Sequence, residues 1–389
     1  MKYYFSANFK RHKMATTHVF IVDSNTFKYH LEYLFAGTGA GEAYIDFNNT
    51  YYTHLHYATE NNLVGMIADG ERIRVGDYVI FYLQQNFSQG IREGKFYGIF
   101  RVKSRLFLDN NDNNQFLKFE LQKSLTFRIL IEPFEVYPEG VTEWEALDEI
   151  RNIQSPNQML WSLIYRKLKG NRGNTMITIY ESERLFQLIR NKNQNNQLNC
   201  DNFTFDINSQ KIICNNTRYE YTGRMEQLNL LPRLIEKYRR DLQFETHLQA
   251  YILKNLERIF PTENIEWIGN EVACGVGMQR IDIMFSSVIN EVSRKISPIE
   301  LKSAFAKPDI TIQLQRYIDW LEQYYIPNRP SRIEPMIISR FIPNKNSQDY
   351  LNLITAFRDF NQRNGLNIKY IEFSIDIENI AINFKEVKY

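Results

Sequence analysis

Three charged residues stand at the ends of two strand-like segments in the second half of the chain. Asp282 lies between isoleucines in Arg280 to Phe285, and Glu300 and Lys302 alternate with apolar residues in Ser297 to Lys302. Because side chains in a strand alternate between faces, Glu300 and Lys302 point the same way. Unpaired burial of such charges is unfavourable, so a metal ion or mutual compensation must offset it. Two carboxylates suit a hard cation such as Mg2+, and a lysine can position the attacking water or stabilise charge on a phosphate.

Two helical segments supply further polar side chains for this site. In Phe244 to Phe260, Glu245 is followed by an apolar stripe at helical spacing, formed by Leu248, Ile252, Leu256 and Ile259. The stripe predicts that Glu245 faces the core, where an ionised carboxylate needs a partner. On a later helix, Gln313 and Tyr317 are four residues apart and share a face, from which both can reach the charged strand ends.

The elements that must position these residues predict an α/β second half. The pattern indicates helices at Gln227 to Arg240, Phe244 to Phe260 and Ile310 to Tyr325, and strands around Trp267, Ile281 and Ile299. The first half instead has β-rich segments separated by turns, which favour a small mixed barrel with helices attached. These segments are His18 to Val22, Tyr78 to Leu83, Phe96 to Val102, Phe116 to Leu121 and Leu125 to Ile131.

A polar stretch, NKNQNNQLN at 191–199, separates the two halves. It has little to bury, which is typical of a linker. The chain therefore divides into an N-terminal extension (1–17), a first domain (18–190), a linker (191–224) and a second domain (225–389). A length of 389 residues is ordinary for two or three domains.

Composition limits the classes of function. The net charge of +2 is too small for whole-protein attraction to nucleic acid, so such a partner must be held by local patches. Apolar runs are far shorter than the roughly 18 residues of a membrane span, so we expect a cytoplasmic protein without membrane association. The three cysteines show no CxxC pairing and are interpreted as reduced thiols.

Other common site types fail on spacing. In the segment starting at Gly37, the third glycine of a dinucleotide fingerprint would be Glu42, and the Gly94-Lys95 pair is followed by Phe96 instead of the hydroxyl residue of a P-loop. No GxSxG or HExxH motif occurs. Hydride transfer, NTP hydrolysis, serine hydrolysis and zinc proteolysis are disfavoured.

The arrangement Asp282, then Glu300-Leu301-Lys302, resembles the PD-(D/E)XK nuclease core and is similar to NucS-type endonuclease catalytic domains over roughly residues 227–384. Glu245 matches the upstream helical glutamate of that family, and Gln313 with Tyr317 matches its QxxxY helix. The family's proline is replaced, since Ile281 precedes Asp282. The alternative interpretation of these charged residues is a surface network of ion pairs.

The resemblance implies hydrolysis of a phosphodiester by water activated by Mg2+ or Mn2+. Asp282 and Glu300 would be metal ligands, and Lys302 the electrostatic and proton-handling group. Glu245 would hold a second cation or a metal-bound water, and Gln313 and Tyr317 complete the catalytic set.

Three segments of the first half resemble the EVE branch of PUA-like domains. They are His18 to Val22, the turn and strand Ile73 to Tyr82, and Gly94 to Val102. The segment Leu163 to Gly173 is similar to the family's basic region and contains Arg166, Lys167, Lys169 and Arg172, which could contact phosphates. Four aromatic residues could wall a cage that stacks a flipped base, namely Tyr82, Tyr97, Trp144 and Trp161.

These features together predict a two-domain endonuclease of the restriction or defence type that acts on double-stranded DNA. The first domain would select a site, with modified cytosine as one candidate, and a homodimer would cut both strands. Three alternatives stay open. They are a repair endonuclease for mismatched or branched DNA, a nuclease acting on RNA, and a non-catalytic sensor of modified bases or RNA.

Overall fold

A mixed sheet curled into half a barrel organises the first half. The computed structural model describes residues 15–39, 44–45, 57–148, 173–274 and 279–389. The strands of this sheet are β1 (Thr17–Val22), β2 (Phe35–Thr38), β3 (Tyr78–Leu83), β4 (Lys95–Val102), β5 (Phe107–Leu108), β6 (Phe127–Pro133), β7 (Val141–Thr142) and β8 (Asn174–Ile177). Their order is β2-β6-β4-β3-β1-β8, with β5 paired to β6 and β7 to β4. β1 and β3 are parallel, and the other pairs are antiparallel.

Both faces of this sheet are covered. The helices are α1 (Ser24–Glu32), α2 (Tyr57–Glu71), α3 (Lys118–Leu121), α4 (Glu143–Asp148) and α5 (Ile179–Lys192), with a 3-10 turn at Phe87–Gln89. In β3, Phe81 packs with Phe27 of α1 on one face, whereas Ile80 packs with Leu185 of α5 on the other. A strand that is buried on both faces reads as a continuous apolar run, which is what YVIFYL shows.

The prediction of a strand at Phe116 to Leu121 is wrong, because the structure has the single-turn helix α3 there. Leu117 and Gln122 flank that turn with φ values of 59° and 52°. Residues in this left-handed region turn the chain, so the extended conformation cannot run through the segment. The predicted strands at His18 to Val22 and Tyr78 to Leu83 are confirmed by β1 and β3.

The segment predicted to be a linker belongs to the first half. It contains an antiparallel hairpin of β9 (Phe203–Asp206) and β10 (Lys211–Cys214). Phe203, Phe205 and Ile212 are buried in the same core as Phe27. The apolar residues of this hairpin alternate with polar ones, which is typical of a half-buried strand. This alternation follows directly after the polar run, so the whole segment was predicted to be a linker.

The cysteine prediction is also corrected. Cys200 and Cys214 form a disulfide at the base of this hairpin, and Cys274 is a buried free thiol. The two bonded cysteines are 14 residues apart. No CxxC motif marks such a pairing, because the hairpin alone brings them together.

A second mixed sheet organises the other half. Its strands are β11 (Ile265–Ala273), β12 (Arg280–Val288), β13 (Arg294–Leu301), β14 (Arg332–Ile333), β15 (Met336–Arg340), β16 (Lys369–Asp376) and β17 (Ala381–Val387). The order is β11-β12-β13-β15-β16-β17, with β14 beside β13. β13, β15 and β16 run parallel, whereas β11, β12 and β17 join antiparallel.

Helices cover both faces of the second sheet, so the predicted α/β class is confirmed. They are α6 (Leu231–Arg239), α7 (Glu245–Lys254), α8 (Leu256–Ile259), α9 (Ile310–Trp320), a π-helical turn (Leu321–Tyr325), α10 (Ile326–Asn328) and α11 (Gln348–Asn364). Leu248 of α7 packs in one core with Ile299 of β13. Leu314 of α9 packs with Ile337 of β15 in the core on the other face.

The two halves share a core. Leu63 and Ile67 of α2 are buried with Leu248 and Ile252 of α7. The buried carboxylate of Glu60 accepts hydrogen bonds from side chains of the second half, namely Arg233, Lys237 and His247. The first half therefore packs directly on the second. Within the described ranges, no helix is long and apolar enough to cross a membrane.

Candidate functional site

Asp282 and Glu300 lie side by side where β12 and β13 separate. The last paired residues of these strands are Ile283 and Ile299, and the two acidic residues are the next ones on each strand. The Asp282 carboxylate then accepts a hydrogen bond from the Leu301 backbone N–H at 2.8 Å. The Asp282 side chain thus takes the place of a backbone carbonyl as the acceptor for Leu301, and this contact holds Asp282 against the end of β13.

Glu300 is buried, with 1% of its side chain exposed. Lys302 Nζ lies 2.6 Å from its Oε1, and the Tyr317 hydroxyl lies 2.5 Å from its Oε2 and 2.9 Å from the Arg280 carbonyl oxygen. Because both carboxylate oxygens have partners, the side chain of Glu300 is fixed in one orientation. The proximity of Glu300 to Lys302 and Tyr317 agrees with the sequence prediction.

Glu245 is the first residue of α7 and sits at the edge of this group. Its Oε2 accepts a hydrogen bond from the Ser303 backbone N–H at 3.1 Å. The side chain is only half-buried, because the core of α7 begins with Leu248 one turn later. The prediction that Glu245 faces the core is thus corrected. It faces the strand edge that carries Lys302.

Negative charge exceeds positive charge at this edge. Burial and the neighbouring Glu300 carboxylate raise the pKa of Asp282 well above its ordinary value, and Glu245 adds to the effect. Burial also raises the pKa of Glu245. Burial disfavours the charged form of Lys302, but Glu300 outweighs that effect and raises the pKa of its ammonium group. One lysine does not neutralise several carboxylates, so a cation would stabilise their ionised forms.

The residues fit a metal ion in part. Among the described residues, no group of three or more His, Cys, Asp and Glu side chains is arranged to hold a metal ion. That Glu245 holds a second cation or a metal-bound water beside Asp282 and Glu300 stays a prediction, and in the structure its Oε2 accepts a hydrogen bond from the Ser303 backbone N–H. Mg2+ usually binds one or two carboxylates together with waters and substrate phosphates. Asp282 and Glu300 are compatible with such a site.

Gln313 lies one turn before Tyr317 on α9, and its side chain is half-buried. It forms no hydrogen bond with another residue in the part of the chain that the structure describes. Of these two residues, Tyr317 connects α9 to the charged group, through Glu300.

Sequence reasoning missed Gln249 and Glu271. Gln249 Nε2 lies 2.8 Å from the Asp282 carbonyl oxygen and 3.3 Å from Glu271 Oε1. Glu271 also pairs with Arg280 at 3.1 Å. Gln249 is four residues after Glu245 and shares its helix face, which is the signal that could have identified it. Gln249 thus holds the backbone carbonyl of Asp282, and Glu271 holds the side chain of Arg280 two residues earlier.

The predicted base cage is not formed by the tyrosines assigned to it. Tyr82 and Tyr97 are buried on opposite faces of the first sheet. The Tyr82 hydroxyl donates to Glu143 at 3.0 Å, and the Tyr97 hydroxyl donates to the Gln210 carbonyl at 2.8 Å. Trp144 is 62% exposed on α4. Both tyrosines pack in the core because helices and the β9–β10 hairpin cover the two faces.

The remaining predicted contacts with nucleic acid lie outside the described residues. They are Trp161, Arg166, Lys167, Lys169 and Arg172.

Two solved structures show a weak likeness to part of this chain. No family model and no curated protein matches the chain. A hypothetical protein from Leishmania major matches with 9% identity and a TM-score of 0.28, over 46% of this chain and 96% of that one. Human THYN1, solved in complex with DNA containing 5-methylcytosine, matches with 6% identity and a TM-score of 0.25, over 45% of this chain and 97% of that one. We infer no function from either likeness.

Proposed function

We propose that the chain is a Mg2+-dependent endodeoxyribonuclease whose second half is a PD-(D/E)XK nuclease core. One observation carries this proposal. Asp282, Glu300 and Lys302 meet at one edge of the second sheet, with Lys302 Nζ 2.6 Å from Glu300. The excess of negative charge there favours a divalent cation, and the part-exposed lysine favours a phosphate beside it.

Each residue has a separate role in the proposed reaction. Asp282 and Glu300 would hold the ion, which when bound lowers the pKa of water and offsets charge on the phosphate. Lys302 donates a hydrogen bond to a phosphate oxygen and keeps the attacking water oriented. Tyr317 holds the Glu300 carboxylate in place, and Gln249 holds the backbone of Asp282.

The first half is proposed to be a PUA/EVE-like reader that selects the DNA. The basic residues Arg166, Lys167, Lys169 and Arg172 would bind phosphates. Trp144, which is exposed on α4, is available to stack on a base. Because one site cuts one strand, scission of a duplex requires two copies, and a homodimer is part of the proposal.

A second candidate function is binding without catalysis. It is favoured by the full pairing of Glu300, whose two oxygens are already engaged by Lys302 and Tyr317. A protein that used these contacts only to stabilise its fold would bind nucleic acid and leave it intact.

Cleavage assays separate the two candidates. The purified chain is incubated with Mg2+ and phage DNA that contains cytosine, 5-methylcytosine or 5-hydroxymethylcytosine, and with mismatched and branched duplexes. We expect discrete fragments from at least one substrate, and none from Glu300→Gln or Lys302→Ala.

Lys295→Ala is the matched control. Lys295 also pairs with glutamates, Glu263 and Glu334, but it lies seven residues earlier on β13, about 23 Å away at ~3.3 Å per residue. We expect this variant to cut normally. Intact DNA with every substrate, or full activity of the Glu300 and Lys302 variants, would refute the nuclease.

A further inference from the structure

Glu271 of β11 has a backbone conformation that residues other than glycine rarely adopt. Its φ is 49°, inside the left-handed region. The residues on both sides of it stay paired with β12, so Glu271 occupies the position opposite Asp282. Irregular positions of this kind in a strand turn a side chain in a new direction, and they are common next to functional sites.

The Glu271 carboxylate is held through both of its oxygens. Its Oε1 lies 3.3 Å from Gln249 Nε2, which also donates to the Asp282 carbonyl at 2.8 Å. Its Oε2 lies 3.1 Å from Arg280 Nη1. The carboxylate therefore connects the helix that supports Asp282 to the guanidinium of Arg280.

Arg280 is anchored beside the acidic residues of the candidate site. It lies two residues before Asp282 on β12, and the Tyr317 hydroxyl bonds both the Arg280 carbonyl and the Glu300 carboxylate. The Arg280 side chain is 39% exposed. In the described part of the chain, Glu271 is the hydrogen-bond partner of its guanidinium, so the other N–H groups can receive a ligand.

A phosphate at this site needs a cation besides Lys302. Lys302 Nζ lies 2.6 Å from Glu300, so its ammonium group must be shared between that carboxylate and any phosphate oxygen. A phosphodiester carries its charge on two oxygens. The planar guanidinium of arginine presents paired N–H donors that match two such oxygens.

We propose that Arg280 binds a phosphate of the substrate at the candidate site, and that Glu271 positions its guanidinium for that contact. The inference rests on the proposed function and adds to it a second phosphate-binding cation on the β12 side of Asp282. Arg280 touches the substrate. Glu271 acts through Arg280 and is a positioning residue, which accounts for its strained backbone at the position opposite Asp282.

Calorimetric binding of thymidine 3′,5′-bisphosphate tests the contact. This probe has phosphates but no phosphodiester to cut, so its dissociation constant can be measured with Mg2+ present. We expect the wild type to bind it and not to bind thymidine. Arg280→Ala should weaken binding about tenfold, and Arg280→Lys should weaken it less, because charge is kept while the paired donors are lost.

The role of Glu271 is tested by the sign of its effect in two backgrounds. In the wild type, Glu271→Gln should weaken binding, because the guanidinium loses its charged partner. In the Arg280→Ala background the same change should tighten binding, because only the repulsion between the Glu271 carboxylate and the phosphate is removed. A variant that serves only to stabilise the fold would not reverse sign. Tighter binding by Glu271→Gln in the wild-type background would overturn the positioning role.

Arg294→Ala is the matched control. Arg294 also pairs with a glutamate, Glu266 at 3.6 Å, and is part-exposed. It lies opposite Val288, eight residues from Arg280 along β12, which is about 26 Å at ~3.3 Å per residue. We expect this variant to bind the bisphosphate like the wild type. Equal binding by Arg280→Ala and Arg294→Ala, or no binding by the wild type, would overturn the assignment of Arg280.

The nuclease proposal can fail while this inference holds. If no DNA is ever cut, binding of the bisphosphate should still depend on Arg280, in EDTA as well as in Mg2+. Conversely, a chain that cuts DNA while Arg280→Ala cuts and binds like the wild type refutes the role of Arg280 alone.

Discussion

The backbone N–H of Leu301 donates to the Asp282 carboxylate across the gap where β12 and β13 part. Asp282 is therefore a structural partner of β13, and it is also an acid whose pKa is raised well above its ordinary value. Its two roles can be separated, because an asparagine at this position keeps an acceptor oxygen and lacks the charge.

Asp282→Asn should stabilise the metal-free chain and abolish cleavage. The folded pKa of Asp282 is raised by burial and by Glu300, so its contribution to stability is present at low pH and is lost as pH rises through that folded pKa. We expect the variant to be more stable than the wild type by about 1 kcal/mol near neutral pH.

Urea unfolding in EDTA at acidic and neutral pH measures this difference. The gain should shrink at acidic pH, where the wild-type carboxyl is already protonated. A variant less stable than the wild type at neutral pH would contradict the account.

Tyr317→Phe should reduce cleavage by about 10-fold to 100-fold and raise the Mg2+ concentration needed for half-maximal activity. The change removes the hydroxyl that holds Glu300 Oε2 and leaves the ring in place. Tyr324→Phe is the control, since the Tyr324 hydroxyl also bonds a buried glutamate, Glu181, away from the site. Identical Mg2+ titrations of the two variants would show that Tyr317 does not position Glu300.

Glu60→Gln should destabilise the whole chain by about 2 kcal/mol, because Glu60 accepts charged hydrogen bonds from Arg233, Lys237 and His247. Burial alone would raise the pKa of Glu60, but these partners lower it. The stability that it contributes is thus present above its ordinary pKa and is lost as pH falls.

Chemical unfolding at neutral pH and at acidic pH tests that account. The difference in free energy of unfolding between the wild type and Glu60→Gln should be smaller at acidic pH. Glu236→Gln, which removes a pair between α6 and Arg240 just after it, should lower stability by well under 1 kcal/mol. Equal losses from the two variants would rule out a special role for Glu60.

Replacing Cys200 and Cys214 together by serine should lower stability by about 3 kcal/mol, because the disulfide closes a loop of 14 residues. Dithiothreitol should lower the wild-type Tm towards that of the double variant. The Tm of the double variant should not respond to dithiothreitol. Three free thiols instead of one in the wild-type protein, measured by mass spectrometry without reductant, would contradict the disulfide.

Much of the candidate site follows from local sequence. Alternation places Glu300 and Lys302 on one side of the chain at the end of β13, and helical spacing places Leu248 and Ile252 of α7 in the core. Distances between elements do not follow from periodicity. The hydrogen bond from the Ser303 backbone N–H to Glu245 depends on how α7 packs on the sheet. No local sequence pattern specifies this packing.

The errors in domain organisation have a similar origin. A polar run at 191–199 predicted a linker, yet the apolar residues Phe203, Phe205 and Ile212 just after it fold back on the first sheet. The docking of α2 on α7 is also absent from the sequence prediction. It depends on side chains such as Leu63 and Leu248, which are buried in one core although they are far apart along the chain.

The contact between α2 and α7 has a mechanical consequence. Glu245 is the first residue of α7. The same helix packs against α2 through buried aliphatic side chains, and Glu60 of α2 forms a hydrogen bond with His247 of α7. Close-packed interiors transmit displacement because they compress little. A tilt of α2 would therefore shift α7 as a rigid rod and move Glu245 relative to the strand end that carries Lys302.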